Sequence, residues 1–242
     1  MKVVAINASP RTDKGNTAII LQPFLDGMRE AGAEVEVFYT KRLDIKPCQG
    51  EFNCWFKSPG KCFQADDVEM LHSKMRVADV WVFACPLYVW GLPGPLKNLL
   101  DRCIPLVQPY FDLTDGHCRH PRREGVTEPQ VVLVANCGFW ELDNFDALLK
   151  HMKDFLGDRF AGALLRPHGP ALATMLEMGM PVQDVLEAAK EAGQEMAHDG
   201  RMNQETLNRV SRELLPLQQY VELVNQEFRR NLDRVKAHAM AT

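Results

Sequence analysis

Val3-Val4-Ala5-Ile6-Asn7-Ala8-Ser9-Pro10-Arg11-Thr12-Asp13-Lys14-Gly15-Asn16-Thr17 opens the chain, and an amphipathic run begins at Ala18. The four apolar residues read as a short buried strand, and the run after the loop reads as a helix. A strand that passes through a loop of this kind into a helix aims loop amides and the positive end of the helix dipole at one point, making an anion site. The loop is not a Walker A motif, which needs lysine directly after its second glycine, whereas Asn16 follows Gly15. It is not the dinucleotide fingerprint either, which needs three glycines where this loop has only Gly15. What remains is Ser9, Arg11, Thr12, Asn16 and Thr17 around Gly15. That set suits a terminal monophosphate surrounded on several sides. A plain helix cap would need fewer residues.

Working outward, residues 2–7, 35–39, 79–85, 130–136 and 160–166 read as five strands. Helical patterns at 17–31, 66–77, 94–103, 143–157 and 181–198 fill the gaps. Alternating βα units with strands apolar on both faces predict an α/β fold, a doubly wound five-stranded parallel sheet. The stretch 104–128 is irregular, with Pro105, Pro109, Pro121 and three arginines, Arg119, Arg122 and Arg123. Residues 203–236 read as a helical tail that Pro216 breaks or kinks, with Leu217, Tyr220, Val221, Val224, Phe228, Leu232 and Val235 on one face. The expected organisation is therefore a domain over 1–200 and a C-terminal helical extension over 201–242, packed on the domain or at an oligomer interface.

The bulk properties bound the function. Of 242 residues, 46% are hydrophobic and 25% charged, which is ordinary globular composition. A net charge of −4 lacks the basic face of a nucleic-acid binder. No apolar run is long enough to span a membrane, and no secretory signal precedes the first strand. The expectation is a cytoplasmic protein that contacts neither nucleic acid nor membrane. Its seven cysteines are then thiols or ligands rather than a disulfide framework.

Four stretches carry a family resemblance. Asn7-Ala-Ser-Pro-Arg-x-x-x-Gly-Asn-Thr17 resembles the phosphate loop of the NADPH-dependent FMN reductase and iron–sulfur flavoprotein group, within the flavodoxin-like superfamily. Cys62-Phe-Gln-Ala-Asp66-Asp67, Cys85-Pro86-Leu87-Tyr88-Val89-Trp90 and Leu96-Lys97-Asn98-Leu99-Leu100-Asp101-Arg102 are similar to its segments in the same order. The resemblance covers about residues 1–200. It implies a flavodoxin-like fold, an FMN cofactor with NAD(P)H as co-substrate, and a homodimer or homotetramer with the site at the interface.

In an open parallel sheet the ligand lies beyond the carboxyl ends of the strands. There the first loop supplies Ser9, Arg11, Gly15, Asn16 and Thr17 for the phosphate. The third strand supplies Pro86, Leu87, Tyr88, Val89, Trp90 and Gly91, and the fourth Asn136, Cys137, Gly138 and Phe139. Tyr88 and Trp90 offer faces for a flat ring, and Gly91 suggests close backbone approach. The expected activity is FMN-dependent NAD(P)H oxidation. Hydride passes to flavin N5 and then, by a ping-pong mechanism, to a quinone, a nitro or azo compound, a metal ion or free flavin. The competing expectation is an electron-transfer flavoprotein without small-molecule turnover. Hydride transfer needs no protein acid or base, so no catalytic residue is assigned. Arg119, Arg122 and Arg123 are candidates for a second nicotinamide phosphate, although a charge cluster of this kind is more often a solvated face.

Cys48, Cys54 and Cys62 form a loop cluster in which Glu51 stands where the resemblance places a second cysteine. Iron–sulfur clusters normally take four thiolates, and zinc favours paired cysteines. No metal is assigned, and Pro59-Gly60 reads as a turn bringing Cys54 and Cys62 together.

Overall fold

The computed structural model of the chain describes residues 1–114 and 116–241, the last five as backbone only. Asp115, in the irregular stretch, and Thr242, at the end of the expected extension, lie outside the described residues. The elements in order are β1 (Lys2–Asn7), α1 (Asn16–Glu30), β2 (Glu34–Tyr39), α2 (Asn53–Phe56), α3 (Val68–Met75), β3 (Val80–Pro86) and α4 (Gly94–Asp101). A small pair, β4 (Asp112–Thr114) and β5 (His117–Arg119), follows, then β6 (Gln130–Asn136), α5 (Asp146–Leu156) and β7 (Phe160–Arg166). The chain continues through α6 (Gly169–Glu177), α7 (Gln183–Asp199), α8 (Gln204–Ser211) and α9 (Leu217–Ala241).

The five long strands form one parallel sheet in the order β2-β1-β3-β6-β7. The strands feed both faces by their alternating side chains. Val3 and Ala5 join a core with Phe24 and Met28 of α1, Leu172 of α6 and Ala188 and Met196 of α7. Val4 and Ile6 join the opposite core with Leu71 of α3, Leu96 and Leu99 of α4 and Leu148 and Met152 of α5. This is the expected α/β flavodoxin-like architecture. The strand ends are level: Asn7 pairs with Ala84, Pro86 with Asn136, and Asn136 with Arg166. The loops after β1, β3, β6 and β7 therefore emerge at one edge. Strand order reverses between β1 and β3, which opens a crevice there.

Helices α1 and α7 cross at van der Waals distance between backbones. A Cβ on Gly27 would lie 1.9 Å from the Lys190 carbonyl oxygen, and one on Gly193 would lie 2.0 Å from that of Phe24. Ala188, Ala189 and Ala192 continue the small-residue face of α7, all buried.

Three features differ from the sequence expectation. The stretch 104–128 is not wholly irregular, since β4 and β5 pair antiparallel within it. Helix α6 was unforeseen: it begins Gly169-Pro170 and is apolar around much of its circumference, so it lacks the periodicity that marks a surface helix. Pro216 breaks no helix. It stands one residue before α9, where its fixed φ suits a helix start, and α8 has already ended at Ser211.

Candidate functional site

The loop after β1 is built from its own backbone. Asn7, buried at the end of β1, accepts the Ser9 amide on its Oδ1 at 2.8 Å, and its Nδ2 donates to the Thr12 carbonyl at 3.4 Å. Sequence reasoning quoted Asn7 but gave it no role. Ser9 is buried, and its carbonyl accepts the Thr12 amide at 3.0 Å. Thr12 takes a left-handed φ of 53°, and its hydroxyl is spent on the Asp13 carboxylate at 2.7 Å and the Arg11 carbonyl at 2.8 Å. Asp13 is thereby turned away from the loop interior, where Arg42 meets it at 3.1 Å. The Thr12 hydrogen bond, then its own backbone, hold the Asp13 carboxyl below its usual range against a small burial effect.

Gly15 is the tightest point. A Cβ there would stand 2.4 Å from Ser9 Oγ and 3.3 Å from Arg11 Cβ. No side chain caps the start of α1 at Asn16, so the helix presents its first amides to the space above the loop. Arg11 is exposed at the rim and Asn16 half-buried. Thr17 is buried, and its hydroxyl donates to Asn136 Oδ1 at 2.5 Å. Thr17 and Asn136 thus tie the first loop to the end of β6.

The loop after β3 is a two-residue hairpin. Tyr88 and Gly91 exchange both backbone hydrogen bonds, at 3.2 and 3.0 Å. Val89 and Trp90 form the tip at φ 48° and 56°. That is the geometry of a type I′ turn, which glycine and asparagine normally fill. Valine in this region is an outlier, and such strain collects at functional sites. The expected reason for Gly91 is corrected here. Its φ is not positive, and the nearest atoms to a Cβ there would be 3.9 Å away. The permissive geometry is demanded of Val89 and Trp90 instead. Pro86 closes β3 opposite Asn136, and the Leu87 amide donates to the Asn136 carbonyl at 2.8 Å. Tyr88, Val89 and Trp90 are exposed, Val89 at 92%.

In the loop after β6, Phe139 stacks on Trp90 with ring centroids 5.8 Å apart and 15° between planes. Trp90 Nε1 also donates to Asn144 Oδ1 at 3.2 Å. An exposed aromatic wall thus joins the two loops. Cys137 is buried, and burial pushes its thiol above the usual range. Its amide donates to Arg166 and its carbonyl accepts from Gly169, so it works as scaffold. A Cβ on Gly138 would meet nothing within 4 Å, and the Gly138 carbonyl accepts the Tyr220 hydroxyl.

Sequence reasoning missed the tether behind this loop. Trp140 Nε1 donates to the Leu215 carbonyl at 2.9 Å. Arg166, fully buried, donates to the carbonyls of Pro167 and Val210 at 2.7 Å and of Arg212 at 2.7 Å, stopping the last turn of α8. His168 Nε2 accepts from Arg166 at 2.9 Å and from the Leu214 amide at 3.1 Å, so the ring is neutral. Burial first, then the Arg166 charge, push His168 down to about 4. The sequence signal was present in Arg-Pro-His directly after a strand, two polar side chains where an apolar core was due.

The candidate nicotinamide arginines do not converge on this edge. Arg122 pairs with Glu128 at 2.5 Å. Arg123 donates to the Pro105 carbonyl and Gln108 Oε1 at 3.1 and 3.2 Å, and Arg119 to the Cys118 carbonyl at 3.0 Å.

Two of the four recognised motifs meet each other instead. The buried side chains of Arg102 and Asp66 form a bidentate pair at 2.5 and 3.0 Å, and Arg102 also donates to the Lys46 carbonyl at 3.0 Å. Burial opposes the Asp66 charge, but Arg102 and the amides of Lys46 and Val68 outweigh it and hold the carboxyl low. The pair fastens the cysteine segment to α4. Among the described residues no three His, Cys, Asp or Glu side chains converge closely enough to hold a metal ion.

Residues 1–116 match the model of the family described as NADPH-dependent FMN reductase. The chain is 38% identical over 106 residues to an iron–sulfur flavoprotein of Methanocaldococcus jannaschii, covering 44% of this chain and 53% of that protein. It is 31% identical over 113 residues to an iron–sulfur flavoprotein of Methanosarcina thermophila, covering 47% and 58%. The chain thus spans about half the length of the curated relatives it matches. Among solved structures, an NAD(P)H:quinone oxidoreductase from Methanothermobacter marburgensis superposes with TM-score 0.57 at 22% identity, over 82% of this chain and 98% of that one. An FMN-dependent NADH-azoreductase from Bacillus anthracis, in complex with FMN, does so with TM-score 0.56 at 16% identity, over 81% and 99%. The structural likenesses bear out the flavodoxin-like fold. The family match bears out the resemblance read from the motifs.

Proposed function

We propose, from the family match over residues 1–116, that this chain is an FMN-dependent oxidoreductase that draws hydride from NADH or NADPH and reduces a small molecule. The single observation that carries the reading is the loop over 9–17: an uncapped helix start behind a Ser9–Gly15 contact that admits no Cβ. That cradle fits a terminal phosphate ester. Ser9, Arg11, Gly15, Asn16 and Thr17 would hold the phosphate. The hairpin 86–91 and residues 136–139 would bracket the ring, with Trp90 and Phe139 walling one side.

When bound, FMN supplies an N5 position that takes hydride from nicotinamide and passes the electrons on. The chain's own part is to bind and orient. The first amides of α1, at its uncapped start, and the α1 dipole would offset the phosphate charge. The Leu87, Tyr88 and Gly91 amides are already paired, which leaves those of Val89 and Trp90 to donate to the polar edge of the ring. The exposed rings of Tyr88, Trp90 and Phe139 leave an open apolar rim, suited to flat acceptors such as quinones, nitro or azo aromatics and free flavin. Each substrate would occupy that rim in turn, which predicts ping-pong kinetics. The apolar stripe of α9 supports assembly with a second copy: Leu217, Val221, Phe228, Leu232 and Val235 are all exposed. Among the described residues no helix is long and apolar enough to cross a membrane.

The test is direct. Purified protein loaded with FMN should show flavin absorbance that bleaches under anaerobic NADH or NADPH and returns on adding a quinone, with parallel double-reciprocal lines. Failure to bind FMN overturns the reading. Binding without reduction by either nicotinamide makes the chain an electron carrier.

A further inference from the structure

A cavity of about 10 Å³ lies between the cysteine segment and α4, lined by Cys48, Glu51, Cys54, Cys62 and Arg102. That is about the room one water needs. An iron–sulfur cluster takes four thiolates, and the segment offers three, with Glu51 engaged by the Asn53 amide at 2.5 Å. A buried guanidinium already stands at the wall. The residues present do not fit a cluster.

They fit thiol chemistry. Arg102 is 1% exposed, and its Nε has no hydrogen-bond partner. Cys62 lies beside that guanidinium and is half-buried, open enough to meet a small oxidant. Cys54 is buried and lines the same cavity. The Gly60 amide donates to the Cys54 carbonyl at 2.9 Å, which returns the chain to Cys54 two residues before Cys62. A partly exposed thiol and a buried thiol that line one small cavity, with a guanidinium in its wall, are the parts of an oxidation-sensing pair.

We propose that Cys62 and Cys54 form such a pair, with a hydroperoxide as oxidant. The Cys62 sulfur attacks the peroxide oxygen and gives up its proton to solvent. The O–O bond breaks, the alcohol or water leaves with a proton from solvent, and Cys62 becomes a sulfenic acid. The Cys54 sulfur then displaces water from that sulfur, giving the Cys54–Cys62 disulfide. Two thiols lose two electrons and two protons, and the peroxide is reduced to alcohol and water. Cys48, exposed at the rim, takes no part.

The test uses the full chain with its flavin bound and does not depend on nicotinamide turnover, so its outcome is separable from the proposed oxidoreductase activity. Stoichiometric hydrogen peroxide should lower the intact mass by two hydrogens, remove two of the seven free thiols and yield one cross-linked peptide pair joining Cys54 to Cys62. Cys54→Ser should leave Cys62 as a sulfenic acid that a dimedone probe traps. Cys62→Ser should abolish the cross-link. A cross-link through Cys48, an unchanged thiol count, or four irons per chain after anaerobic iron and sulfide reconstitution each overturns the proposal.

Discussion

Val89 holds a left-handed backbone that costs a β-branched residue of order 1–2 kcal/mol, and its side chain is almost fully exposed, so little packing offsets the cost. Val89→Asn should therefore raise the melting temperature by a few degrees, read by thermal unfolding without ligand. Gly15 is the opposite case. Gly15→Ala places a methyl on Ser9 Oγ and should weaken FMN binding at least tenfold in a fluorescence titration while leaving the far-UV spectrum intact. His72 is fully buried with both ring nitrogens unpaired. Burial first, then Arg76 and Arg102, push it down to about 4, and His168 reaches a similar value. Both are neutral in the folded chain, while an unfolded histidine takes its proton near pH 6.5. Their contribution to stability is thus complete above about pH 6.5 and is lost as the pH falls toward 4. Urea midpoints should fall between pH 7 and pH 5, and His72→Leu should flatten that fall by removing an unpaired buried polar group. An unchanged slope in the variant would assign the acid sensitivity elsewhere.

At the level of elements, the α1–α7 crossing is the least tolerant contact. Gly193→Ala sets a methyl against the Phe24 carbonyl at 2.0 Å, and neither backbone can yield without parting the helices. A loss of 3 kcal/mol or more is expected on this overpacking mechanism, read as a shift in denaturant midpoint. How far the elements were legible follows from the same packing. The five strands are runs such as Val-Trp-Val-Phe-Ala and Val-Val-Leu-Val-Ala, whose side chains serve two cores at once, so the sequence carries an unbroken apolar signal. Helix α6 was hidden by the same property, since a segment apolar on all sides shows no period. The β4–β5 pair was hidden because its six residues are exposed and owe nothing to a core. In the site, Ser9, Gly15 and the 86–91 hairpin were legible as residue types that loops at strand ends demand. The contacts that hold residues 136–139 were not. Thr17, Tyr220 and His168 reach that edge only through contacts between segments far apart in the chain, which no local pattern records.

For the molecule as a whole, α9 divides anchoring from reach. Tyr220 is its last buried residue, and of 221–236 only Val224 is half-buried. Removing residues 221–242 should shift the melting temperature by less than about 2 °C, while size-exclusion mass falls if the stripe joins copies; an unchanged mass would dissociate the stripe from assembly. The crossing of α1 and α7 has a further consequence, for synthesis. Helix α1 emerges from the ribosome early, and the surface that must cover Phe24, Gly27 and Met28 belongs to a helix beginning at Gln183. Strands β1, β2 and β3 can pair and take α1 on one face long before then, yet the side of α1 that meets α7 waits uncovered until the chain is nearly finished. Completion of this fold is thereby timed by translation of its C-terminal third, and a ribosome-stalled chain lacking α7 should be protease-sensitive throughout its first half.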